Sequence, residues 1–180
     1  MSEQKTIGVL FIDRFADWEY GLLAASAVEW FGARAVSLAP NGKPVTSASG
    51  FTLTPDRSTA VDENTDLDAL AVIGSDQWVD APPNVSALLT AVAARGGVVG
   101  GICAGTLALA RAGLFGNAKH TSNGRDWINE KEPGSGRPEL SGRALCRRRR
   151  SHRVRAGFGS RHLRSCLFED ALSPEKQRSR

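Results

Sequence analysis

The chain has 180 residues, of which 23 are Lys or Arg and 19 Asp or Glu, for a formal net charge of +4, and 41% are apolar. That balance is the composition of one ordinary globular domain and excludes a collagen-like, coiled-coil or wholly disordered chain. No run approaches the roughly 18 to 20 apolar residues of a membrane helix, and the polar start Met1 to Thr6 lacks the parts of a secretory signal, so a cytoplasmic protein is expected.

The average charge hides two unlike parts. Residues 1–131 carry 10 basic and 14 acidic residues, net −4, whereas 132–180 carry 13 and 5, net +8, with Arg supplying 12 of those 13 and a run from Arg147 to Arg150. The chain is therefore read as an α/β domain over 1–131 followed by an atypical Arg-rich segment over 132–180.

In chain order, Thr6 to Ile12 is a short apolar run rich in β-branched residues, as buried parallel strands are. Asp17 to Gly32 reads as a helix, with Asp17 able to cap, Glu19 in the first turn, Gly32 at the stop, and Trp18, Leu22, Ala25 and Val28 at helical spacing. Ala35 to Ala39 is a second strand. Pro44 to Thr54, broken at Ser49-Gly50, reads as a small hairpin, and Leu67 to Ile73 as a strand ending at Gly74-Ser75. Val85 to Ala94 is a helix closed by Gly96-Gly97, Val98 to Ile102 a further buried strand, and Ala104 to Ala112 a helix with Gly113 as its cap. Lys119 to Ser122 reads as an edge strand and Arg125 to Glu130 as a short helix. Strands alternating with helices predict a doubly wound, mostly parallel sheet sandwiched by helices, flavodoxin-like and incomplete at its C-terminus. In such folds ligands sit beyond the carboxyl ends of the strands.

The sharpest chemical signal lies at one such end. Cys103 falls on the turn between a buried strand and a helix, with Gly101 two residues before it and Gly105 two after, the small-residue spacing of a nucleophile elbow. Those glycines are needed where a strained turn brings backbone too close to admit side chains. At the head of the following helix, N–H groups and the helix dipole favour a negatively charged sulfur. The alternative is a small buried thiol of no chemical consequence. The other two cysteines, Cys146 and Cys166, are too scattered for a disulfide framework or zinc spacing, so no metal or cofactor is expected.

The stretch GGICAGTLALARAGL, with Val72-Ile73-Gly74 before it and FADWEYG after the first strand, resembles the ThiJ/PfpI family of the class I glutamine amidotransferase-like superfamily. The resemblance covers Lys5 to Ile128, about 70% of the chain. It implies that Cys103 is the reactive residue and that Glu19 approaches it, with Asp17 as a substitute. A protonated carboxyl there would donate to sulfur, and an ionised one would act as a proton shuttle. Fold analogy puts an oxyanion hole at the backbone N–H of Ala104 and of Ser75 or Gly74, with Asp76 and Trp78 lining the pocket. His120 is a candidate partner for the thiol, and Asn123 could occupy that place instead. Ala104 stands where members of the peptidase-like branch carry a histidine, which points away from that branch.

The resemblance further implies a small-molecule substrate of electrophilic character, such as a glyoxal, a glycated adduct, an isonitrile or an amide, and a homodimer. With no ammonia-transfer domain, a glutamine amidotransferase is not expected. A non-enzymatic stress sensor or chaperone using the same cysteine is the alternative. Three readings compete for 132–180: an out-of-frame translation that inactivates the product, which leads; a polyanion-binding appendage, without the aromatic or helix-turn-helix pattern of specific nucleic-acid recognition; and a divergent final strand and helix, with Leu163 to Leu172 its one amphipathic stretch.

Overall fold

The structure is a computed structural model that describes residues 4–116 and 120–134 and the backbone of 154–156. Its centre is a five-stranded parallel sheet in the order β2-β1-β5-β6-β7, formed by β1 (Thr6–Leu10), β2 (Arg34–Leu38), β5 (Ala69–Val72), β6 (Val98–Gly101) and β7 (Val154–Ala156). The doubly wound α/β expectation holds. Strands β3 (Val45–Thr46) and β4 (Thr52–Leu53) form the predicted hairpin apart from this sheet.

Strand alternation sorts large from small side chains. Leu70 and Val72 of β5 face one side, where they meet Leu88, Leu89 and Val92 of α3 (Ser86–Ala94), Leu107 of α4 (Thr106–Arg111) and Ile128 of α5 (Arg125–Lys131). Ala69 and Ala71 face the other, against Leu23 and Ala27 of α1 (Asp17–Phe31). Small residues on both surfaces let α1 lie close to the sheet.

Several local readings change. The spacing of Trp18, Leu22, Ala25 and Val28 marks α1 as a helix, but the face it buries is Glu19, Leu23, Ser26 and Ala27, while Trp18 stays 74% exposed. Periodicity reports an apolar face and not what covers it. Asp17 is the first helical residue and does not cap, because the cap position belongs to Ala16. Gly113, at φ 68°, stands one residue beyond the α4 cap, Ala112. A short helix, α2 (Gln77–Asp80), occupies what reads as loop.

His120 to Ser122 form no strand, and Lys119 lies outside the described residues. The place beside β6 goes to β7, with Val99 opposite Val154 and Gly101 opposite Ala156. Part of the Arg-rich segment is thus in the sheet. The boundary at 131 is also bridged, since Arg111 of α4 pairs with Glu132 and donates a second bond to the Trp78 carbonyl at 2.6 Å. Arg147 to Arg150, Cys146, Cys166 and Leu163 to Leu172 lie outside the described residues. Among the described residues no helix is long and apolar enough to cross a membrane.

Among the described glycines the closest approach is at Gly105, where an added Cβ would lie 2.5 Å from the Val72 carbonyl oxygen. The obstruction is strand backbone, which cannot yield. Gly105→Ala should therefore cost about 2–3 kcal/mol and lower Tm by roughly 5–10 °C. Gly21→Ala, on α1 with nothing within 4 Å of its Cβ, should instead stabilise by about 0.5–1 kcal/mol. Paired thermal melts measure both, and equal effects at the two sites would contradict the assignment of close packing to Gly105.

Candidate functional site: a cysteine elbow

Strand β6 ends at Gly101, and the chain turns through a single 3₁₀ turn, Cys103–Gly105, into α4. Cys103 sits in the turn at φ 52°, a left-handed conformation uncommon outside glycine. Its surroundings leave it no other choice. The Ile102 N–H is bound to Val72 O at 3.0 Å, the Gly105 N–H to Ile102 O at 2.9 Å, and the Thr106 hydroxyl to Cys103 O at 2.8 Å. Gly101 and Gly105 stand back to back, since a Cβ on Gly101 would come within 2.9 Å of Gly105 backbone. Gly105 itself has φ −58°, so the turn needs it for close approach and not for an unusual dihedral. Cys103 is half-buried.

Glu19 reaches this turn from the first turn of α1 and is 8% exposed. Its Oε2 accepts the Gly74 N–H at 2.6 Å, while the Gly74 carbonyl accepts the Ala16 N–H at 2.9 Å. The peptide groups on both sides of Gly74 are thus held by the start of α1. A Cβ on Gly74 would stand 2.7 and 2.8 Å from the two Glu19 oxygens and 2.9 Å from the Cys103 Cβ, which shows how closely carboxyl, glycine and cysteine converge. Burial pushes the Glu19 carboxyl above its ordinary value, opposed by the Gly74 N–H and by the Cys103 thiol. Because Glu19 takes the Gly74 N–H, that group is lost to an oxyanion. Among the described residues no acceptor meets the N–H of Ser75 or Ala104, so these two stay available as donors. The Ser75 side chain is anchored separately, donating to Asp13 O at 2.6 Å.

The Asn123 amide donates to Cys103 Sγ at 3.3 Å. His120 does not pair with the thiol. Its ring stacks on Phe115 with centroids 3.8 Å apart, it is 5% exposed, and among the described residues neither ring nitrogen has a hydrogen-bond partner. Burial lowers its pKa, because desolvation disfavours the charged ring. Asp17 faces elsewhere, as residues two apart on a helix must. Its carboxylate accepts the Ser49 N–H and hydroxyl at 3.1 and 3.0 Å, and hydrogen bonds from Ser47 and then Ser49 hold it below the ordinary carboxylate range. Asp76 is exposed at the head of α2. Trp78 is fully buried, its indole N–H donating to Ile73 O at 2.8 Å, so it belongs to the core and lines no opening. Sequence reasoning missed Thr106 and Ser122, whose hydroxyls meet at 2.7 Å behind the elbow. The available signal was a threonine three residues after the cysteine, in reach of its carbonyl. Among the described residues no group of three or more His, Cys, Asp or Glu could hold a metal ion.

A parallel α/β sandwich with a left-handed cysteine at a strand-to-helix elbow, faced by a buried glutamate, defines a class of cysteine-elbow α/β proteins. Residues 5–130 match the DJ-1/PfpI family, and the chain belongs to that family. It is 32% identical over 124 residues to the protein named uncharacterized protease YoaZ of Bacillus subtilis, a match covering 63% of this chain and 58% of that relative's length. Among solved structures, a DJ-1 superfamily protein from Agrobacterium tumefaciens superposes with a TM-score of 0.79 at 28% identity, covering 97% of this chain and 94% of that one. Drosophila melanogaster DJ-1beta shares the fold at a TM-score of 0.73 and 18% identity, covering 97% and 94%.

The raised pKa of Glu19 has a signed consequence for stability. Between the ordinary glutamate value of 4.5 and the higher folded value, the folded chain holds more protons than the unfolded one, so the contribution of Glu19 falls as pH rises through that window. Glu19→Gln keeps an acceptor for the Gly74 N–H without the charge. Its stability relative to the parent should climb as pH rises from 4 and then level off. Urea unfolding at pH 4, 5, 6 and 7 reads this, and a difference independent of pH would contradict it.

Proposed function

We propose that the chain is a cysteine-dependent enzyme acting on small electrophilic carbonyl compounds, reactive aldehydes of the glyoxal type above all. The observation that carries this reading is Cys103 at φ 52° with its sulfur held at 3.3 Å by the Asn123 amide and a buried carboxyl converging on the same turn. The sulfur adds to the aldehyde carbon, an S–C bond forms, and the carbonyl pair moves to oxygen, where the Ala104 and Ser75 N–H groups would stabilise the developing charge. The oxygen takes a proton through Glu19, whose carboxyl is shifted upward from its ordinary value by burial. For a glyoxal, Glu19 next takes the hemithioacetal C–H proton, whose electron pair forms an enediol as the neighbouring oxygen gains a proton. It returns the proton to the neighbouring carbon while the hydroxyl on the sulfur-bearing carbon loses its own and becomes the thioester carbonyl. The resulting thioester is cleaved by water, so aldehyde plus water becomes a 2-hydroxy acid without an external oxidant. The small substrate class is favoured over peptides because Ala104 follows Cys103 and, among the described residues, no imidazole pairs with the thiol.

The chain is further proposed to work as a homodimer. Trp18 at 74%, Leu22 at 36% and Val28 at 43% exposure form an apolar face on α1, the kind of surface that marks an interaction site.

Cys103→Ala should reduce methylglyoxal turnover to the uncatalysed background, read as loss of the substrate and appearance of lactate. Turnover that survives the substitution refutes the cysteine mechanism. Leu22→Glu should halve the mass measured by sedimentation while leaving the far-UV circular dichroism of the folded chain unchanged, since the position is exposed on the single chain. A parent chain that sediments as a monomer at tens of micromolar sinks the dimer.

A further inference from the structure

Two buried hydroxyls behind the elbow have no part in the chemistry just described. Thr106 is wholly buried and Ser122 is 8% exposed. The Thr106 Oγ1 lies 2.8 Å from the Cys103 carbonyl oxygen and 2.7 Å from the Ser122 Oγ. A carbonyl only accepts, so the single hydroxyl proton of Thr106 is committed to Cys103 O. Ser122 must then donate to Thr106. The result is a directed chain, from the Ser122 hydroxyl to the Thr106 hydroxyl to the carbonyl of the nucleophile.

That carbonyl belongs to the same peptide unit as the Ala104 N–H, and in a trans peptide the two groups point in opposite directions. Holding the oxygen inward holds the N–H outward. Accepting a strong hydrogen bond at oxygen also draws electron density through the amide and makes its N–H a better donor, the polarisation by which hydrogen-bond chains strengthen one another. The Ala104 N–H meets no acceptor among the described residues. Ser122 is followed directly by Asn123, whose amide holds the sulfur at 3.3 Å. One hydroxyl pair therefore ties together the sulfur's partner and the orientation of the peptide beside it.

We propose that Ser122 and Thr106 are positioning residues that orient and polarise the Cys103–Ala104 peptide so that the Ala104 N–H receives the negative oxygen formed when the thiolate adds to a carbonyl. The inference rests on the enzymatic reading above and assigns it two residues that act through backbone and never touch substrate. No electron leaves the pair, and no proton need transfer along it.

The test separates a reaction that makes an oxyanion from one that does not. Alkylation of Cys103 by iodoacetamide displaces iodide and puts no charge on a carbonyl oxygen, whereas addition to methylglyoxal does. Thr106→Val, which keeps the shape and removes the hydroxyl, should lower kcat for methylglyoxal about 10- to 100-fold, less than removal of a whole oxyanion donor. It should leave the iodoacetamide rate within about twofold, because displacement does not use that donor. Thr106→Ser should restore turnover, and Ser122→Ala should fall between parent and Thr106→Val. In protein labelled with ¹⁵N-alanine, the Ala104 amide proton should move upfield in Thr106→Val and return in Thr106→Ser. Parallel loss of turnover, alkylation and thermal stability would reduce the pair to a packing role and overturn the proposal. So would an Ala104 amide resonance that stays in place. If the parent chain turns over no aldehyde, the enzymatic reading fails, and the amide shift still decides whether the relay exists.

Discussion

The carbonyl oxygen of Val72 leaves 2.5 Å where a side chain on Gly105 would begin. That contact presses the start of α4 onto the central strand, and with the back-to-back placement of Gly101 it compresses the β6-to-α4 turn. Cys103 is left at φ 52°, in a conformation a β-carbon resists. Strain of this kind persists only where its surroundings over-determine it. Here two backbone hydrogen bonds and the Thr106 hydroxyl do so.

Across the turn, Gly74 joins the two halves of the site. The start of α1 binds both of its peptide groups, one through Ala16 and one through Glu19. A buried carboxylate is costly, and the Gly74 N–H and the Cys103 thiol recover only part of that cost, which is why the carboxyl sits above its ordinary range. Its partner is the thiol.

The rest of the fold delivers these residues to one place. Parallel strands send the ends of β5 and β6 to the same edge, with the loop after β1 leading into α1 beside them, and the small residues Ala27, Ala69 and Ala71 bring α1 close enough for Glu19 to arrive. The exposed apolar stripe on α1 is the opposite face of the same helix. The net charge of +4 averages an acidic domain with a basic segment, and the strand Val154–Ala156 joins that segment to the sheet beside β6.

Local pattern carried most of the fold. Apolar runs marked strands, Gly32 marked the end of α1, and the glycines around Cys103 marked the elbow, because steric demands on two or three adjacent residues are written in residue type. The convergence of Glu19 with Cys103 came from resemblance to a family, since no spacing along the chain relates residues 84 positions apart. Only the tertiary structure decided that the Gly74 N–H serves Glu19, that Asn123 and not His120 meets the sulfur, that Trp78 is core, and that Thr106 and Ser122 stand behind Cys103. Each depends on which way a side chain points once helices and strands have packed. Hydrogen bonds between distant segments are chosen by that packing, and composition and periodicity do not encode them.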